Sequence, residues 1–212
     1  MVKQERAART RRALINAAAE IFADDGYALA SLPAISKRAG VSTGALHFHF
    51  PSKDSLALAV ESDAELAVRT MLEQCGDSSA TAPQCLGRAV TLLLDAVGSD
   101  PVVRGGLRLG GDPSRKRGGG VIACWHEWVR DVLVRAREEG ELSEQISPEY
   151  AAVAIAAAVA GVALFGGICA PPQLPHAYVV QFREFLLSWP AASMWQERPR
   201  QVGGPAEVVE SG

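Results

Sequence analysis

Residues 31–50, SLPAISKRAGVSTGALHFHF, read as two short helices joined by a tight turn. Ser31 is suited to N-cap the first helix, and Pro33 sits in its opening turn, where a missing N–H costs nothing. Leu32, Ile35 and Ala39 fall at i, i+3 and i+7, one apolar helical face. Gly40 ends that helix where a left-handed residue is usually needed. Val41 packs inward, and Ser42 caps a second helix carrying Thr43, Gly44, Ala45, His47 and His49. Helix, Gly-containing turn, helix is the helix-turn-helix pattern, whose second helix lies in the major groove of DNA. Many small helical hairpins share it, so its surroundings decide.

The chain has 212 residues, enough for one large domain or a small one joined to a larger one. Net charge is −3, but residues 1–54 hold eight Lys/Arg against five Asp/Glu. A basic N-terminal unit on an acidic body fits a local nucleic-acid footprint better than general stickiness. Cys75, Cys85, Cys124 and Cys169 form no CxxC pair and read as reduced, buried thiols. The charged N-terminus has no apolar leader segment, so the expected location is the cytoplasm. Ala151 to Ala170 carries no charge over twenty positions, the length of a membrane span. Its Ala/Gly composition would insert poorly, so it reads as a buried helix packed closely on neighbours or on a second subunit.

Outward from the hairpin, Lys3 to Arg12 (KQERAARTRR) is a basic lead-in. It reads either as a solvated helix start or as a phosphate-contacting one. Leu14, Ala17, Ala18, Ile21 and Phe22 make a helical stripe stopped by Asp24-Asp25-Gly26, with Tyr27 tucked into the core. A fourth helix starts at Ser52 and runs to about Cys75. Pro83 opens another, and Asp100-Pro101 caps a short one through Leu109. Gly110 to Gly120 (GGDPSRKRGGG) reads as a mobile loop; no Gly-Lys-Ser/Thr follows, so it is no phosphate loop. Helices over Val121–Glu139, Pro148–Gly166 and Tyr178–Trp189 complete an all-α chain of about nine helices, with a polar, disordered tail from 196. The expected division is a DNA-binding domain over 1–54, a ligand-binding and dimerisation domain over 55–195, and the tail over 196–212.

TRRALINAAAEIFADDGYALASLPAISKRAGVSTGALHFHFPSKDSL, within residues 8–68, resembles the N-terminal domain of the TetR family of bacterial transcriptional regulators. One departure is His47, where the family usually carries a Tyr that touches DNA phosphate. DPVVRGGLRL (100–109) with Glu127-Trp128 is similar to the γ-butyrolactone receptor branch, which includes pseudo-receptors answering to other ligands. The resemblance implies a homodimeric repressor of antibiotic and secondary-metabolite genes. It would sit on a pseudo-palindromic double-stranded operator until a small apolar signal, a γ-butyrolactone, furan or antibiotic-like molecule, releases it.

On that footing DNA contacts are expected at Ser31, Lys37, Ser42, Thr43, Gly44, Ala45, His47, His49 and Lys53. Thr43 and Ala45 offer a hydroxyl and a methyl to base edges, the methyl suiting thymine. His47 and His49 are phosphate or base-edge donors, and Lys53 a phosphate contact that sets register. Phe50 is read as core, and Phe48 as core rather than groove. Trp125, Trp128 and Val132 lie three to four apart on one helix face and line the expected pocket. Trp125 reads equally as plain core; the resemblance favours Trp128 as the ligand contact. Leu107, Leu94 and Phe165 complete the candidates. An apolar pocket with few polar anchors suits such a signal. Dimerisation is expected through Pro148–Gly166 and Tyr178–Trp189. No cofactor is implied. His47 and His49, two apart, point about 200° from each other on a helix and cannot share a metal. No nucleophile elbow, acid pair or nucleotide-binding glycine motif argues for an enzyme. The alternatives are a ligand-binding protein with weakened or lost DNA binding and, behind it, a small-molecule enzyme.

Overall fold

A computed structural model describes residues 2–76, 80–115, 120–169 and 194–195. Its order is α1 (Val2–Leu29), α2 (Leu32–Arg38), α3 (Thr43–His49), α4 (Lys53–Glu73), α5 (Ala82–Ser99), α6 (Pro101–Gly110), α7 (Gly120–Glu138) and α8 (Pro148–Cys169). Among the described residues the only extended pairing is an isolated bridge between Leu142 and Trp195. The all-α reading therefore holds, with eight helices described. The ninth, expected over Tyr178–Trp189, and the tail from 196 lie outside the described residues.

Side chains set most helix starts. Ser31 Oγ accepts from Ala34 N at 3.3 Å, Ser42 Oγ from Ala45 N at 3.2 Å, and the Asp100 carboxylate from Val102 N at 2.8 Å. Ser52 and Ser55 cap each other reciprocally at the head of α4. The first helix does not simply stop at Asp24-Asp25-Gly26. It breaks at Gly26 (φ 80°, ψ 171°) and resumes for one turn to Leu29. Similarly, α8 continues past Gly166-Gly167 to Cys169.

Two buried clusters result. The head cluster gathers Leu14, Ile15, Phe22, Ile35, Leu46 and Phe50 with the first turns of α4 and with Leu109 from α6. The body cluster is built by α4, α5, α7 and α8. Helix α6 joins them, wedged between α1 and α4. A Cβ on Gly105 would stand 2.6 Å from the Ala19 carbonyl oxygen, and one on Gly106 would stand 2.3 Å from Ala64 Cβ. Only glycine lets α6 approach the backbone of α1 and the Ala64 side chain of α4 so closely. Tyr150, Val153, Ala154 and Ala157 form an exposed, largely apolar stripe on α8. Among the described residues no helix is long and apolar enough to cross a membrane.

Candidate nucleic-acid interface

Helix α3 presents a defined face. Leu46 and Phe50, four apart, anchor it to the head core. Thr43, Gly44, His47 and Phe48 form the opposite, exposed face. Phe48 corrects the sequence reading: it is 82% exposed, not core. The helical period held the signal, because Phe48 lies two residues from both buried anchors and must point about 200° away. Its ring sits edge-on to His49 at 5.2 Å between centroids. Ser31, Lys37 and Ser42 are exposed around this face, while Ala45 and His49 are half-buried. Arg38 beside Lys37 is engaged by Glu20 at 2.8 Å. An exposed face of hydroxyl, imidazole and phenyl groups, with no side-chain bulk at Gly44, is chemically suited to a groove of stacked bases and phosphates.

Lys53 sits differently from the expectation. Its ammonium donates to the carbonyls of Tyr27, Ala28 and Ala30 at 2.8, 3.4 and 3.0 Å. It also lies 4.4 Å from the Tyr27 ring centroid. In this arrangement it caps the end of α1, and a phosphate contact would have to compete with three carbonyls.

The segment after α6, read as a loop, is tied down by side-chain contacts in its described part. Through residue 115 it is a hydrogen-bonded turn; residues 116–119 lie outside the described residues. The Asp112 carboxylate accepts from Tyr27 N at 3.3 Å and from Ser114 N at 2.9 Å. The Arg115 side chain is only 3% exposed, with Nη2 at 2.8 Å from Glu61 and 3.6 Å from Asp54. Its guanidinium carbon is 4.9 Å from the Tyr27 ring centroid. Burial pushes the Glu61 carboxyl above its usual value, partly offset by Arg115. Hydrogen bonds from Ser114 hold Asp112 below its usual value. Sequence reasoning missed this cluster, because its members are far apart along the chain and no motif marks them.

In the body, Trp125 is 2% exposed and Trp128 half-buried, the two rings stacked 5.7 Å apart at 19°. Trp125 Nε1 is buried without a hydrogen-bond partner among the described residues. Val132, Leu107 and Leu94 join the same cluster. The side chain of Phe165 lies outside the described residues. Cys75, Cys85 and Cys124 are buried and form no disulfide with one another. Burial raises the Cys75 and Cys124 thiols, which opposes the thiolate form a nucleophile needs. Among the described residues no three His, Cys, Asp or Glu side chains gather as a metal site.

Residues 14–60 match the family described as bacterial regulatory proteins, tetR family. The chain is 33% identical over 164 residues to the A-factor receptor protein of Streptomyces griseus, covering 77% of this chain but only 57% of that receptor's length. A crystal structure of a gamma-butyrolactone receptor (ArpA-like protein) superposes with TM-score 0.66 at 27% identity, covering 85% of this chain and 95% of that one. The TetR family protein CprB from Streptomyces coelicolor, solved with its biological operator sequence, superposes with TM-score 0.67 at 25% identity, covering 85% and 96%.

Proposed function

We propose, from the tetR-family match over residues 14–60 and the likeness to the A-factor receptor protein, that the chain is a ligand-responsive repressor of the TetR family. It binds pseudo-palindromic operators as a homodimer in the cytoplasm and catalyses no reaction. A small apolar signal of γ-butyrolactone, furan or antibiotic-like chemistry releases it, and its targets are secondary-metabolite genes. Residues 1–54 are the DNA-reading unit and 55–195 hold the ligand and the dimer contact.

The observation that carries this reading is the exposed Thr43–Gly44–His47–Phe48 face, rigidly backed by Leu46 and Phe50. A phenyl ring left in water costs apolar hydration unless something covers it, and a groove supplies that cover. The Tyr150–Ala157 stripe on α8 supports self-association in the same way, since small residues let two helices approach closely. The stacked Trp125–Trp128 pair supports an apolar ligand contact on α7.

The test is a mobility shift of the full chain with DNA from upstream of its own gene, repeated with a synthetic γ-butyrolactone. Binding should weaken steeply with salt, as phosphate neutralisation releases counterions. The lactone should release the DNA, and Trp128→Ala should abolish that release while leaving the shift. Absence of any shift at low salt would sink the regulator reading.

A further inference from the structure

We infer that the turn ending in Arg115 is a latch that sets the orientation of the DNA-binding head. Its seating also sets operator affinity; this second clause rests on the regulator reading.

The latch grips one short segment. Tyr27 follows the break at Gly26 and leads within five residues into α2, so whatever holds Tyr27 aims α2 and α3. Two residues of the turn hold it. Asp112 takes its main-chain N–H at 3.3 Å, and the Arg115 guanidinium lies over its ring at 4.9 Å. Lys53 holds the same residue from α4, by its carbonyl at 2.8 Å and its ring at 4.4 Å. Arg115 is itself pinned to α4 through Glu61 at 2.8 Å. The end of α1, the start of α4 and the turn are therefore tied through one tyrosine.

The seat is also poised to open. Of the guanidinium nitrogens only Nη2 is paired among the described residues; Nε and Nη1 are buried without partners there. A buried cation with unmet donors gains less from its ion pair than a fully paired one, so withdrawing this guanidinium into water costs less. The input is adjacent. Helix α7 begins at Gly120, where a Cβ would stand 3.9 Å from Glu61 Cβ. Trp125 follows five residues later, just over one turn along the same helix. A displacement of the head of α7 thus meets Glu61, the residue that pins Arg115.

The experiment uses the full chain and Arg115→Met, which keeps the stem and deletes the charge. Two readouts are taken: operator affinity across a salt series, and hydrogen exchange along the backbone. The variant should bind operator at least about fivefold more weakly, the lower end of typical coupling between sites. Its salt slope should match the wild type, because Arg115 touches no phosphate. Exchange should quicken over residues 27–50 and stay unchanged over α5. Tyr27→Leu should reproduce both effects, and the double variant should be no worse than either single one. Arg115→Lys should restore part of the loss. Wild-type affinity in Arg115→Met would overturn the link to operator affinity, and unchanged exchange over 27–50 would overturn the latch. If the wild type binds no operator, the regulator reading fails, while the exchange result still decides the latch. If Arg115→Met fails to fold, Glu61→Gln is read by the same measurements with the same expected and overturning results.

Discussion

His47 and Phe48 share the exposed face of α3 and make separable predictions. Because Phe48 packs on little within the chain, Phe48→Ala should change folding stability by less than about 0.5 kcal/mol. The same change should weaken operator binding by roughly tenfold, less than the full burial of a phenyl group. His47→Tyr should tighten operator binding by about 1 kcal/mol, if the family's usual phosphate contact is regained. Calorimetric melting and anisotropy titrations on the same samples separate the two quantities. Titration of the latch carboxyls has opposite signs. Glu61 is harder to ionise in the fold than in the open chain, so its stabilising contribution is full below the ordinary value of 4.5 and is lost as pH rises above it. Asp112 is easier to ionise in the fold, so its contribution is present above 3.8 and is lost as pH falls. The stability gap between wild type and Glu61→Gln should therefore narrow as pH rises from acidic to neutral, and the gap between wild type and Asp112→Asn should widen, as thermal midpoints would read. Parallel curves for both variants would contradict the assignment.

At the level of elements, capping chemistry made the hairpin legible before any coordinates. Ser31, Pro33, Gly40 and Ser42 each carry a local signal that the backbone obeys. Side-chain direction was legible too, yet Phe48 was read as core because an aromatic residue outweighed its angular position. The lead-in helix is a further case. Residues 4–12 bury nothing, and Arg6, Arg9, Arg11 and Arg12 are all exposed along them. Arg11 lies 5.3 Å from the ring centroid of Phe50, so this arm runs beside the end of α3. Replacing Arg6, Arg9 and Arg12 by Gln should lower the salt slope of operator binding by about one for each phosphate no longer neutralised. Helix content should not change, as Gln is nearly as good a helix former as Arg. An unchanged slope would mark the arm as a solvated face only.

Across the whole molecule, long-range tertiary detail is what the sequence hid. DPVVRGGLRL announces its cap at Asp100-Pro101, but nothing local says that Gly105 and Gly106 face the backbone of α1 and a side chain of α4. The same limit concealed Arg115, whose partners sit more than fifty positions away. Helix propensity alone would make any Gly→Ala change on these helices favourable by about 0.5–1 kcal/mol. Gly98 has open space where its Cβ would go, so Gly98→Ala should stabilise the fold by that amount. Gly106→Ala would drive a methyl into Ala64, and overpacking of about 1–3 kcal/mol should outweigh the propensity gain. Denaturant midpoints of the two variants should move in opposite directions; movement in the same direction would refute the close packing of α6.

The paired indoles of α7 have an optical consequence. Two nearly parallel chromophores 5.7 Å apart couple their excited states, so their near-ultraviolet circular dichroism reports their mutual geometry. Any molecule that parts or tilts the rings rewrites that spectrum without a label. The protein thus carries a built-in dial for screening unknown effectors in the absence of DNA.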